Sequence, residues 1–220
     1  TATGGGGGGA TTCALRPACD TMLPSPGTAG MFRSSTNALL SLGGSKHRGR
    51  DLFLSAGQHA FALGRFAYGL TDTALQDEDV EVFLLESCSA TATWRSVGTV
   101  RTSTGTSPAM FGVSDNGGRV YLDLGALPVG RHRVHFVVRG DLTTADQYLE
   151  VLGPNARIAV TDIDGTLTTS EYASWTDYIG GTPPDAHPGA ALALTALAQR
   201  GYLLFYLTAR PEWLEPRTHE

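Results

Sequence analysis

Lysine is almost missing from this chain: Lys46 stands alone against fifteen arginines in 220 residues. The net charge is −5 and no run of basic residues stands out. That excludes the electrostatic footprint of a nucleic-acid surface and the polybasic stretch that reads an anionic membrane. Such a skew toward arginine suits a GC-rich genome and carries no function. No apolar run is long enough to form a membrane-spanning helix. Cysteine is scarce too, with only Cys13, Cys19 and Cys88. A zinc site would need two more ligands that are not nearby, which leaves either a local Cys13–Cys19 disulfide, as in an exported protein, or free thiols. The chain starts at Thr1 without methionine and stops at Glu220 inside a helix-like stretch. It is expected to be a piece of a longer protein whose address signal is out of sight, so the compartment is open, soluble or peripheral to a membrane.

What is present falls into sections. Residues 1–30 hold six consecutive glycines, Gly4 to Gly9, then Thr, Ala, Pro and Ser with no periodic apolar face. This predicts a flexible tether, followed by a partly ordered linker over 31–47. From 48 to 152 the texture is short β-type runs broken by turn residues: 52–55, 60–68, 80–85, 93–102, 109–113, 119–124, 131–138 and 148–152. Their regular spacing predicts an antiparallel sandwich of immunoglobulin-like or transthyretin-like type. Val134, Phe136 and Val138 alternate with Arg133, His135 and Val137 as in a half-buried strand, and Asp115-Asn116-Gly117-Gly118 reads as a hairpin turn. No catalytic constellation emerges here. His132 and His135, three apart on a strand, point to opposite faces. Asp77-Glu78-Asp79 reads as a solvated turn, and Phe66, Tyr68 and Trp94 as core aromatics. Docking of a substrate or partner is the role left to this domain.

Gly153-Pro154-Asn155 forms a joint, and a second domain runs from 156 to 220. It opens with an apolar β-branched run that ends in Asp162-Ile163-Asp164-Gly165-Thr166. In an open parallel sheet, ligands sit beyond the carboxyl ends of the strands, so Asp162 ends where a ligand would lie. If the chain stays extended, Asp162 and Asp164 share one face. Two carboxylates this close repel unless a cation or a shared proton lies between them, and oxygen-only ligands favour magnesium. Gly165 frees the backbone to turn, after which N–H groups can meet a phosphoryl oxygen. The broken stretch 168–186, with Gly180-Gly181 and Pro183-Pro184, predicts a loop over the site. Pro188 in a first helical turn, a helix over 190–200 ended by Gly201, and a buried parallel strand over 203–207 complete a βαβ crossover that sets Thr208 beside Asp162.

Asp162-Ile163-Asp164-Gly165-Thr166 resembles the first motif of the haloacid dehalogenase-like (HAD) phosphohydrolases. Three further features resemble the lipin and LNS2 group: His187-Pro188-Gly189, the run from Gly201 through Thr208 to Arg210, and Arg217-Thr218. The resemblance covers roughly the last 65 residues and implies the N-terminal part of a HAD-like parallel α/β (Rossmannoid) domain. It further implies a magnesium-dependent phosphatase for the complete parent, acting on phosphatidate or a related lipid phosphate, with possible peripheral membrane contact. Asp162 would be the nucleophile that becomes an aspartyl-phosphate and Asp164 the general acid and base, both ligating Mg2+. Gly165, Thr166 and Thr208 would bind the phosphate. Since two later motifs of that family would lie beyond Glu220, the segment itself is expected to be inactive. The alternative from the same resemblance is a non-catalytic, phosphatidate-binding LNS2-like module with a β-sandwich docking domain.

Overall fold

The computed structural model describes residues 19, 21–89, 91–169, 185–210 and 212. They fall into two compact units that divide between Ala156 and Arg157, with the described residues after 208 grouped with the first.

The first unit is a β-sandwich. One sheet is formed by β1 (Arg48–Gly49), β3 (His59–Arg65) and β8 (Arg119–Ala126), in the order β1-β3-β8. The other has the order β2-β10-β9-β6-β7, from β2 (Leu52–Ser55), β10 (Thr144–Leu152), β9 (Gly130–Val138), β6 (Asp79–Leu85) and β7 (Trp94–Arg101). A small pair, β4 (Ala67–Tyr68) and β5 (Thr73–Ala74), and a short helix α1 (Ser35–Ser41) complete it. Alternating apolar residues drive this layering. Val80, Val82 and Leu84 of β6 stand beside their pairing partners Val138, Phe136 and Val134 of β9 in the same sheet, and together with Leu149 of β10 and the aromatics Phe66 and Tyr68 they form the buried core. The sheet is not purely antiparallel as expected, because β2 runs parallel to β10 with Leu52 opposite Leu149.

Polar side chains join the layers. Fully buried Gln147 accepts a hydrogen bond from the Leu63 N–H (2.9 Å) and donates to the carbonyls of Phe61 (3.1 Å) and Arg50 (2.5 Å). It takes over the edge of β3 where the two-residue β1 has ended. Gly49 is required beside it, since a Cβ there would lie 2.1 Å from the Asp146 carbonyl oxygen. His47 is wedged between the Ala67 N–H and the Thr143 hydroxyl, and burial pushes its pKa down to about 4.

Several expectations are corrected here. Residues 109–113 form no strand, only a bridge between Met110 and Val113. Asp115–Gly118 is not a hairpin turn, because β7 and β8 lie in different sheets and the connection crosses between layers. It is held instead by Asp115, which accepts from the Ser103 hydroxyl and from the Ser107 and Gly117 N–H groups. Of the expected tether, the described part lies along the five-stranded sheet. Cys19 pairs with Cys88 in a disulfide, not with Cys13, which is outside the described residues. Trp94 and Arg133 donate to the carbonyls of Met22 and Cys19, and Arg139 donates to those of Pro26 and Thr28. That covering explains why β9 is buried on both faces and not on one. His132 and His135 both serve structure: His132 bridges the Ser87 N–H and the Pro128 carbonyl, and His135 pairs with Asp146. Glu78 in the acidic turn is buried, accepting from the Arg33 N–H and the Asn37 amide.

The second unit holds β11 (Arg157–Asp162), a helix α2 (Ala190–Gln199) and β12 (Tyr202–Leu207). The strands are parallel, with Arg157 opposite Tyr202 and Asp162 opposite Leu207. Glycines in the left-handed region flank the helix, Gly189 at its N-cap (φ 84°) and Gly201 after it (φ 78°), so Pro188 precedes the cap and is not in the first turn. β12 is not the buried strand expected: Tyr206 and Leu207 are exposed among the described residues, as is Val160 of β11, and those residues supply one helix and two strands to this unit. No described helix is long and apolar enough to cross a membrane.

Candidate functional site

The site gathers at the carboxyl ends of β11 and β12. Pairing continues one step past the strands, with the Ile163 N–H donating to the Leu207 carbonyl at 3.0 Å. The chain then leaves the extended path on which the shared-face argument depended. The N–H groups of Thr166, Leu167 and Thr168 all donate to the Ile163 carbonyl, at 3.3, 2.9 and 3.1 Å, while Gly165 takes φ 73°. This turn carries Asp164 across to the neighbouring strand end. There the Thr208 hydroxyl donates to Asp164 Oδ2 at 2.8 Å. Asp162 remains exposed, with Oδ1 accepting from the Ile163 N–H at 2.9 Å.

Thus Asp162, Asp164, Gly165, Thr166 and Thr208 lie in one loop cluster, and Thr208 reaches across 44 residues of sequence to do so. The proposed phosphate donors are engaged internally in this state: the Gly165 N–H donates to Thr168 Oγ1 and the Thr166 N–H to the Ile163 carbonyl, each at a long 3.3 Å. Buried Thr168 is the residue that sequence reasoning passed over. Its hydroxyl also donates to the Ile163 carbonyl at 3.2 Å, pinning both ends of the turn. A hydroxyl four residues after Asp164 was the available signal. His187 joins through its backbone, its N–H donating to the Leu167 carbonyl at 2.8 Å, and among the described residues no side chain caps α2. The expected loop over the site falls mostly on residues 170–184, and Arg217-Thr218 follow residue 212; both lie outside the described residues.

The donor set is all oxygen. Among the described residues no three His, Cys, Asp or Glu side chains converge on a metal position, so these residues would supply two carboxylates at most. Magnesium tolerates that, since it keeps several waters and is commonly held by one or two carboxylates together with a ligand's phosphate.

Two domain families match in order. Residues 45–151 match the PITM 1-3 β-sandwich domain, and residues 159–220 match the PITM 1-3 LNS2 domain. The chain is 29% identical over 190 residues to protein retinal degeneration B of Drosophila melanogaster, covering 84% of this chain and 14% of that protein. It is 29% identical over 190 residues to mouse membrane-associated phosphatidylinositol transfer protein 3, covering 84% of this chain and 18% of that protein. To human membrane-associated phosphatidylinositol transfer protein 1 it is 30% identical over 177 residues, covering 79% of this chain and 13% of that protein. The chain therefore spans less than a fifth of the length of these relatives. The names of the membrane-associated phosphatidylinositol transfer proteins describe transfer, which carries a lipid intact, whereas a phosphatase breaks a phosphorus–oxygen bond. This overturns the expectation of a phosphatase.

Proposed function

We propose, from the premise that this chain has the LNS2-type architecture of a β-sandwich domain followed by an LNS2 domain, that it is a non-catalytic module that binds phosphatidate or a related lipid phosphate. The observation that carries this reading is the Thr208–Asp164 hydrogen bond, which joins the two strand-end motifs into one polar cluster beside an exposed carboxylate. The relatives' names support a phospholipid ligand at a membrane, and the LNS2 resemblance narrows it to phosphatidate or a related lipid phosphate. In this reading β11, α2 and β12 form the first crossover of a HAD-like parallel α/β sheet, a fold whose strand ends hold phosphate esters.

Two carboxylates alone repel a phosphate monoester, so recognition needs a counter-charge. Asp162 and Asp164 would hold Mg2+, and the ion would supply the positive charge that lets a phosphate approach. The chain's own contributions are then positional. Thr208 turns its hydroxyl from Asp164 to a phosphoryl oxygen, and the weakly engaged N–H groups of Gly165 and Thr166 become donors to another. Contact with the bilayer is peripheral, with the glycerol backbone and acyl chains left in the membrane. The sandwich serves as the docking domain.

Vesicle cosedimentation tests this. The chain is mixed with phosphatidylcholine vesicles, with and without phosphatidate, in magnesium or in EDTA, alongside Asp162→Ala. Magnesium-dependent retention on phosphatidate vesicles, lost in Asp162→Ala and with no inorganic phosphate released, is the expected result. Equal retention on both vesicle types would refute the reading.

A further inference from the structure

Three arginines stand in a row across the smaller sheet of the sandwich. Arg48 of β1 is directly opposite Arg65 of β3, which is directly opposite Arg119 of β8. Like charges in that register repel. All three are nonetheless buried, at 3, 4 and 8% exposure. Among the described residues two carboxylates answer them. Asp72, held at φ 51°, takes both terminal nitrogens of Arg48 at 2.7 and 2.9 Å and lies 3.6 Å from Arg65. Glu212, grouped in the same compact unit, takes Arg119 at 3.2 and 3.3 Å and lies 3.5 Å from Arg48.

Among the described residues one positive charge is left without a carboxylate, the terminal nitrogens of Arg65 donating to neutral oxygens of Asn116, Gly117 and Asp72, and the donors are not used up. The Nε atoms of Arg48, Arg65 and Arg119 are buried without a hydrogen-bond partner among the described residues, as is the hydroxyl of Tyr121. Tyr121, Arg119 and Glu212 line a cleft together with Arg50 and Met110. Burial and the neighbouring Arg119 and Arg48 charges depress the Arg65 pKa, whereas Asp72 and Glu212 raise that of Arg48 against its burial, so Arg65 is the member of the row with the weaker compensation.

We infer that this arginine row is an anion site of the β-sandwich that takes a phosphate monoester, and that the Glu212 carboxylate is its resident substitute. A carboxylate offers two oxygens and one charge to a site with more donors than that. A phosphate monoester offers three terminal oxygens and close to two charges, which neutralises the row and suits the forked guanidinium of Arg119. The inference does not rest on the LNS2 reading, because every residue in it lies outside the β11 and β12 cluster. The ester's source, a lipid headgroup or a soluble phosphate, is for experiment to separate.

The test follows the arginine Nε–H resonances of the 15N-labelled chain in an Asp162→Ala background, which silences the other site. Inorganic phosphate, glycerol 3-phosphate and phosphatidate vesicles are added in turn. Phosphate monoester binding should shift buried Nε–H signals and should be lost in Arg119→Gln. A tethered carboxylate competes at an effective concentration on the mM scale, so Glu212→Gln should tighten binding by about tenfold. Response to the soluble esters marks a soluble ligand, and response to vesicles alone marks a lipid headgroup. Should Arg119→Gln fail to fold, Glu212→Gln decides by itself. Absence of any shift, or an affinity that Glu212→Gln leaves unchanged or weakens, would reduce the row to a structural ion-pair network and overturn the inference.

Discussion

Replacing Gln147 with leucine tests how the sandwich is held together. The substitution keeps the side-chain volume nearly constant and strips three hydrogen bonds from a fully buried position. The Leu63 N–H loses its acceptor, and the carbonyls of Phe61 and Arg50 lose a donor each. A buried polar group left unsatisfied costs about 1–3 kcal/mol. The N–H has no second partner to turn to, while the two carbonyls keep lone pairs that relax more easily, so the loss should be about 4 kcal/mol before compensation. The leucine methyl groups return about 1 kcal/mol through burial. A net destabilisation of about 3 kcal/mol should lower the melting temperature of a unit this size by about 10 °C. Urea unfolding followed by far-UV circular dichroism reads the free energy, and hydrogen exchange at the Leu63 amide reads the location. A loss below about 0.5 kcal/mol, the range of an inconsequential surface change, would refute the claim that Gln147 bridges the layers.

The remaining predictions are narrower. Cys88→Ser opens a loop closed across 69 residues, and the chain-entropy account puts the loss at about 4 kcal/mol; the peptide map of the native chain should show Cys19 joined to Cys88. His47 titrates near 4 when folded against an ordinary 6.5, so the unfolded state binds more protons between those values. Stability is then fully present above 6.5 and falls as the pH drops through that window, by about 3 kcal/mol in all, and His47→Gln should flatten the profile. Thr208→Val removes the hydroxyl from Asp164 and should weaken retention on phosphatidate vesicles by about tenfold, equivalent to ~1.4 kcal/mol, while leaving sandwich unfolding unchanged.

The long sandwich strands were legible because each carries its own alternation; Val80, Val82 and Leu84 mark an inward face without help from distant residues. Two-residue strands such as β1 and β4 have no period to read, and β1 forms because its long neighbour β3 supplies the ladder. The misread hairpin at Asp115–Gly118 shows the same limit, since turn chemistry is local whereas the choice of sheet depends on what β7 and β8 pack against. Cysteine pairing failed for a similar reason: Cys19 was nearest to Cys13 in sequence, but the hydrogen bonds that lay Cys19 and residues 21–30 on the five-stranded sheet bring it to Cys88. In the second unit the motif at 162–166 was contiguous and therefore visible, and the parallel partner strand brought Thr208 to it. Carboxylate pairs do not by themselves separate hydrolysis from recognition, and there the sequence misled. The arginine row was invisible, its members 17 and 54 residues apart in sequence, and only the register of three strands aligns them.

The most direct test of the central claim measures binding and hydrolysis in one sample. The chain is incubated with phosphatidate vesicles and magnesium, bound protein is quantified by sedimentation, and inorganic phosphate is assayed in the same tube. The account predicts saturable retention that EDTA reverses, with every phosphate still esterified at the end. Phosphate release that tracks bound protein, or no retention at all, would contradict it.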